Sequence, residues 1–549
     1  MNLRTANPIE QKILNILEKC TNQRVDLDES LSAISLNEDK LEDLKVVIKE
    51  EFILNNLNFD LTQEDDAVSI ANKIIGQLMN RKSGSDVKKT KLHQSFHKAE
   101  EKEFYMASSP QKRLYAIQRT MPEDTSYNMP LCMRYRNLEN EKILVEAFEK
   151  IIQRHESLRT NFVELDGEIY QKIRERVDFK VDVQYLDNEK IEEKLEEFVQ
   201  PFNLTEDILF RVSLVKENQK DGYLFIDSHH IVFDGASYAV LFDELRDFYV
   251  GNPKTELAYQ FKDYSEHLKT IDYEKQGSYW RKVHEEPVEV VDLPLDSPRS
   301  ADNSNVSQSI TSEFSVFETN KIKTYLQEAK LTPYVFFIAS LMIIVSKYTR
   351  QEDIVIASSF SGRKNEETQK MIGMFVNTLI LRGNADADKV VKSFLLEIRE
   401  HALNAQSNSE YPYEDLLSDL KISNLDPNRN MLYDIMFTMQ NNTLPDFHIG
   451  ELLLESPEFG TIEAKCDLDI DAYENEEQES FVIHIAYNSS LFKKENIEYF
   501  AEHWRALILS LIDNPDKKIS DLTCLSEEEK KKVIYEFNPD RQSGLEYSQ

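Results

Sequence analysis

An α/β fold built from more than one unit, preceded by a small helical bundle, is predicted by three observations. Aromatic and β-branched runs of strand length alternate with helical periodicities beyond residue 104. A chain of 549 residues is too long for a single core. The segment 8–82 shows helical spacing only.

The elements follow in chain order. In the N-terminal unit, Ile9, Ile13, Ile16 and Leu17, then Leu41, Leu44, Val47, Ile48 and Phe52, recur at helical spacing. Residues 83–103, opening on Ser83-Gly84-Ser85 and rich in lysine and glutamate, read as a linker. His93 and His97 lie four apart there, but no third ligand candidate accompanies them, so no metal site is expected. Strand patterns fall at 223–228, 310–317, 353–358, 433–440 and 480–487, and helices at 140–155, 388–407 and 494–512. Tyr334–Val345 is an apolar helix with Thr332-Pro333 as cap and first-turn proline; it is too short to span a bilayer and reads as a buried central helix.

Composition removes several classes of function. A net charge of −34 opposes nucleic-acid binding, which needs a basic footprint, and gives no support for an anionic membrane surface. Cys20, Cys132, Cys466 and Cys524 have no CxxC spacing, so neither zinc nor a disulfide framework is indicated, and a reducing, cytoplasmic setting fits. Met1–Glu10 is polar and predicts no signal peptide.

The chemistry centres on Ser228-His229-His230-Ile231-Val232-Phe233-Asp234-Gly235. The apolar strand Gly222–Ile226 leads in, and Tyr238, Leu241, Phe242, Leu245, Phe248 and Tyr249 lead out as a helix stopped by Gly251 and Pro253. Two histidines therefore sit where a strand ends and a helix begins. Imidazole titrates near neutrality, so a histidine held there can take a proton from an amine attacking a carbonyl. Asp234, beside Gly235 and the helix start, suits capping of backbone N–H groups or pairing with an arginine. Two buried, hydrogen-bonded histidines of no catalytic consequence are the plain alternative for a His-His pair taken alone.

The whole HHxxxDG run, with its companions, resembles the condensation domains of nonribosomal peptide synthetases. The companions stand in order: Ser109–Tyr115, Arg154–Phe162, Tyr279-Trp280, Leu293–Arg299, Ile372–Thr378, Tyr411–Glu414 and Asn428–Asn430. The resemblance implies a pseudodimer of two chloramphenicol-acetyltransferase-like lobes, residues 104–275 and 276–535, forming a V with a central tunnel. It implies amide formation between a donor acyl or peptidyl thioester and an acceptor aminoacyl thioester. Both would arrive on 4′-phosphopantetheine arms, so no cofactor and no metal is expected in the domain itself.

The same resemblance makes His230 the catalytic residue, supported by His229, Asp234 and Gly235. Arg159 and Arg299 become ion-pair candidates for Asp234, while Ser109 and Asn377 become tunnel-lining candidates. The Ser109–Tyr115 and Thr125–Pro130 segments lean toward L-configured donors. Expected partners are an upstream donor carrier, a downstream acceptor carrier and an adenylation domain; nucleic acid and membrane are not expected. Leu522–Glu529 and Tyr535–Asn538 resemble the connector into an adenylation domain, with residues 536–549 as its start. Residues 8–82 look like a carrier domain in which Glu38, or Lys40 in the register that matches Asp39-Lys40-Leu41, stands where the phosphopantetheine serine belongs.

Rival readings are an epimerase-type relative, a silent recruitment module and a serine hydrolase. The Ile372–Thr378 loop disfavours the first, the retained histidines the second, and the lack of a GxSxG elbow at Ser358–Gly362 the third.

Overall fold

The computed structural model describes residues 97–525 except 187–189, 300–306, 423–428, 441–446, 450, 456–465 and 476–477, together with scattered positions between 13 and 70, Glu529 and Lys531. Glu38, His93 and Asn428 lie outside the described residues, as do the connector's Tyr535–Asn538 and most of the 8–82 unit.

In the first half, β1 (Tyr105–Met106), α1 (Ser109–Thr120), β2 (Leu131–Arg136), α2 (Glu141–Arg154), β3 (Thr160–Leu165), β4 (Glu168–Ile173), β5 (Asp182–Tyr185) and α3 (Ile191–Phe198) come first. They are followed by β6 (Phe210–Lys216), β7 (Gly222–Ser228), α4 (Ser237–Tyr249), α5 (Phe261–Leu268) and α6 (Glu274–Val283). The second half opens with β8 (Ser307–Glu313), α7 (Val316–Ala329), α8 (Pro333–Thr349), β9 (Asp353–Phe360), β10 (Asn377–Asn384), α9 (Val391–Ser407) and α10 (Tyr413–Asp419). It closes with β11 (Ile435–Gln440), β12 (Phe447–Ile449), β13 (Leu452–Leu454), β14 (Leu468–Asn475), β15 (Ser480–Asn488) and α11 (Lys494–Asp513).

Two six-stranded sheets organise two cores, with a smaller three-stranded sheet beside them. One runs β12-β13-β2-β7-β6-β5, the other β10-β9-β11-β14-β15-β8. Strand β7 is buried along its whole length because β2 and β6 flank it, and α2 and α4 cover the core that it shares. In the second core, α8 is buried from Val335 to Val345. Thr332 Oγ1 accepts from the amide of Val335, and Pro333 fills the first turn without wasting a donor. Trp504 of α11 donates its indole N–H to Ser340 Oγ at 2.9 Å, satisfying a buried polar group inside this apolar layer.

Two sequence expectations are corrected. The strand expected over 310–317 ends at Glu313, because Ser315 and Glu318 form a capping box that starts α7 at Val316. The division at residue 275 is not clean either: β12 and β13 come from the second half yet join the first sheet, Leu454 pairing with Tyr135 and Phe447 stacking on Phe242 at 4.7 Å. Among the described residues, no single helix is long and apolar enough to cross a membrane.

Candidate active site

The HHxxxDG run leaves the C-terminal end of β7 in the middle of the first sheet. Its backbone is pinned from both sides: His229 N–H donates to Leu209 O and His230 N–H donates to Tyr127 O at 2.8 Å. Val232 and Phe233 then close tight turns onto the carbonyls of His229 and His230. These turns carry the two rings in different directions.

His229 is fully buried. Its Nδ1 accepts from the amide of Ile231 at 3.1 Å, which puts the proton on Nε2, 3.1 Å from Gln118 Oε1. Gln118 Nε2 in turn donates to the carbonyls of Pro122 and Asp124. Burial, with lesser effects from His230 and Arg211, pushes the His229 pKa down to about 3, so the ring is neutral and serves as a strut.

His230 is half-buried and differs in kind. Its Nδ1 lies 2.8 Å from Phe233 O, an acceptor, so a neutral ring carries its proton there and its lone pair on Nε2. The ring lines a cavity of roughly 40 Å³ shared by both halves of the chain. Pro110, Arg113, Leu114 and Tyr127 form one wall; Ser359, Met374–Thr378, Glu414, Tyr433 and Met436 form the other, apart from Phe375. Arg113 and Glu414 face each other across the cavity, Nε to Oε1 3.0 Å.

Asp234 is fully buried and both caps and pairs. Oδ1 accepts from Ser237 N–H at 2.9 Å and from Ser237 Oγ at 2.7 Å, starting α4; Oδ2 accepts from the amide of Phe375 at 3.1 Å. Its cation is Arg363, with Nη2 2.7 Å from Oδ1. Arg363 also donates to the carbonyls of Thr368 and Met371 and stacks over Phe375 at 4.2 Å.

The arginines expected from the sequence are elsewhere. Arg159 donates to the carbonyls of Ile152, Gln153, Arg174 and Glu175, closing the loop after α2, where a carboxylate would have to displace four backbone acceptors. Arg299 pairs with Asp467, just before β14 of the second sheet. Arg429 of the Asn428–Asn430 motif is likewise a structural group, held on Asp434.

A second clasp joins the halves beside the first. His155 Nε2 lies 2.9 Å from Glu244, Arg154 Nε lies 2.8 Å from the same carboxylate, and His155 Nδ1 accepts from the amide of Ile372. Burial lowers the His155 pKa against the pull of Glu244, so a neutral ring spans the two. Burial would raise Glu244, but contacts from His155 and Arg154 outweigh it and hold the carboxyl low. Ser157 Oγ donates to Ile372 O at 2.7 Å. The Ile372–Phe375 loop is thus fastened to His155, Ser157, Asp234 and Ser237.

Of the lining candidates, Asn377 borders the cavity and also donates to the carbonyls of Ser409 and Tyr411. Ser109 does not line it. It occupies the first turn of α1, behind a capping box of Ser108 and Gln111, while Gln111 Nε2 donates to Ile231 O at 3.0 Å. Gly235 is exposed with open space around it, so its role is not one of close approach. Arg363, Glu244 and Gln118 were missed in the sequence, whereas Glu414 stands in the Tyr411–Glu414 motif. A signal for Arg363 did exist: Gly362 sits at φ +64° with a Cβ position 2.1 Å from Phe375 O, so the Gly-Arg pair after β9 marks a backbone contact only glycine permits.

Among the described residues, no grouping of His, Cys, Asp or Glu could hold a metal ion.

The Condensation domain family matches residues 101–534. Gramicidin S synthase 2 of Brevibacillus brevis is 36% identical over 447 residues, covering 79% of this chain and 10% of that protein. Bacitracin synthase 3 of Bacillus licheniformis is 34% identical over 465 residues, covering 83% and 7%. The chain therefore spans about a tenth of the length of the curated relatives it matches. The fold is shared with the solved structure of a four-domain nonribosomal peptide synthetase bound to AMP and glycine, at TM-score 0.73 and 19% identity over 78% of this chain and 34% of that one. With the HHxxxDG turn at the end of β7 and this family match over most of its length, the chain belongs to the condensation-domain family of nonribosomal peptide synthetases.

Proposed function

We propose that His230 promotes amide formation, acting through Nε2 on the amine of an acceptor aminoacyl thioester. The amine nitrogen attacks the donor thioester carbonyl carbon, the C–S bond breaks, and the amine proton passes by way of the imidazole to the departing thiolate. The chain is in this reading an acyltransferase. The observation that carries it is the Nδ1 contact with Phe233 O, which leaves the basic nitrogen on a ring bordering the inter-lobe cavity. Asp234, His229 and Gly235 serve by shaping the turn.

Both substrates come on phosphopantetheine arms of an upstream and a downstream carrier protein, with an adenylation domain of the same assembly line supplying the acceptor, in the cytoplasm. Residues 8–82 act as a docking unit that cannot carry an arm. Intact mass after incubation with a phosphopantetheinyl transferase and coenzyme A tests this: an unchanged mass is expected, and an added arm refutes it.

The catalytic reading is tested with loaded donor and acceptor carriers. His230→Ala should lower the amide-forming rate by about 10²- to 10⁴-fold while the thermal transition stays in place. Undiminished turnover would remove His230 from the mechanism.

A further inference from the structure

Asp227 lies two residues before the histidine pair, is fully buried, and has no part in the mechanism above. It faces Asn128, whose backbone forms a bridge with His229. The segment around Asn128 is what holds the motif: Tyr127 O accepts the His230 amide, Met129 N–H donates to Ser228 O, and Tyr127 borders the cavity. Asn128 Nδ2 donates to Asp227 Oδ2 at 2.8 Å and to Gln200 O at 2.9 Å.

The remaining atoms of this pair do not balance. Asp227 Oδ1 and Asn128 Oδ1 are both buried and neither has a hydrogen-bond partner. Both are acceptors if the carboxyl is ionised, and buried acceptors without donors are costly. A carboxylic acid and a primary amide form a two-bond cyclic pair, N–H to one acid oxygen and acid O–H to the amide oxygen. The two orphaned atoms are the ones that the missing bond would join.

We propose that Asp227 is a positioning residue that works in its protonated form, its O–H joining Asn128 Oδ1 and so holding the Tyr127–Met129 segment against the His230 backbone. The inference rests on the reading of His230 given above.

The surrounding charges are compatible with it. Arg211 on β6 stands 3.7 Å from Oδ2, but its guanidinium is engaged by the carbonyls of Gln200 and Pro201, stacks over Phe202 at 3.6 Å, and has Asp207 at 3.9 Å. Tyr238 on α4 points its hydroxyl at Met129 O, 2.6 Å away, and burial keeps its phenol protonated. His229, next but one along the strand, is neutral. Burial raises the Asp227 pKa to about 7 against the pull of Arg211 and Asn128.

The test uses the full chain and its Asp227→Asn variant, in which an uncharged amide can donate to Asn128 at every pH. Infrared difference spectra between the two should show a protonated carboxyl band at pH 6 that disappears through neutrality, whatever the chain's activity. Hydrogen exchange at the His230 amide should quicken through the same range in the wild type beyond its intrinsic pH dependence, and not in Asp227→Asn. With the carrier pair on which His230→Ala is scored, the wild-type to variant rate ratio cancels the titration of His230; it should be level in acid and fall about tenfold per pH unit above the transition. Absence of the band at pH 6, equal exchange in both proteins, or a level rate ratio would each overturn the proposal. If instead His230 proves dispensable, the band and the exchange data still decide the state and role of Asp227.

Discussion

Arg363 Nη2 sits 2.7 Å from Asp234 Oδ1, joining a loop of the second half to the turn that carries His230, and both side chains are almost wholly buried. Removing the carboxylate leaves a desolvated cation with carbonyl oxygens and the Ser237 hydroxyl but no anion beside it. Asp234→Ala should therefore lose about 3–5 kcal/mol of stability, read as a reduced urea midpoint at constant slope. Asp234→Asn keeps the cap on Ser237 and should lose less. A stable Asp234→Ala protein would contradict this organising role.

The second clasp predicts a local effect. Without His155, the Ile372 amide loses its acceptor and Glu244 loses one donor. His155→Ala should cost about 1–3 kcal/mol for the groups left unpaired, in addition to any cavity. Hydrogen exchange should rise first at Ile372 and Gly373, which checks that the loop is held through this ring.

His229 gives stability a pH dependence of known sign. Its folded pKa of about 3 lies below the unfolded value of 6.5, so the folded chain binds fewer protons between them. Stability from this group is full above 6.5 and is lost as pH falls toward 3, at up to about 1.4 kcal/mol per pH unit. Asp227 acts oppositely, since its folded pKa of about 7 exceeds 3.8 unfolded: its contribution is full in acid and lost as pH rises toward 7. The comparison is therefore Asp227→Asn against Asp227→Asn with His229→Gln. The acid slope should be shallower in the second.

Arg113 and Glu414 form an ion pair between α1 and α10, one from each half, with about a fifth of each side chain exposed. Burial raises the Glu414 pKa against the opposing pull of Arg113. A double-mutant cycle of Arg113→Met and Glu414→Gln should give a coupling of about 0.5–3 kcal/mol in denaturant unfolding. Additive single effects would mean that the two side chains do not hold the halves together.

Much of the site was legible because it is local. Strand β7, the turn and α4 follow from residues adjacent in sequence, where apolar runs, Asp-Gly and helical spacing act over a few bonds. The buried α8 could be read from Thr332-Pro333 and its apolar run for the same reason. Strand 310–317 was overextended because the capping pair Ser315 and Glu318 outweighs the β propensity of Val316 and Phe317.

By itself the sequence determined the fold class, the family, and which short segment carries the chemistry. Only the tertiary structure decided that Asp234 meets Arg363, that His155 reaches Ile372, that Arg113 faces Glu414, and that β12 and β13 cross to the other half's sheet. Asp234 and Arg363 are 129 residues apart in the chain, and His155 and Ile372 are 217 apart. Charge and hydrogen-bonding capacity are written in each residue, but which complement is brought within about 3 Å depends on how two separate cores pack.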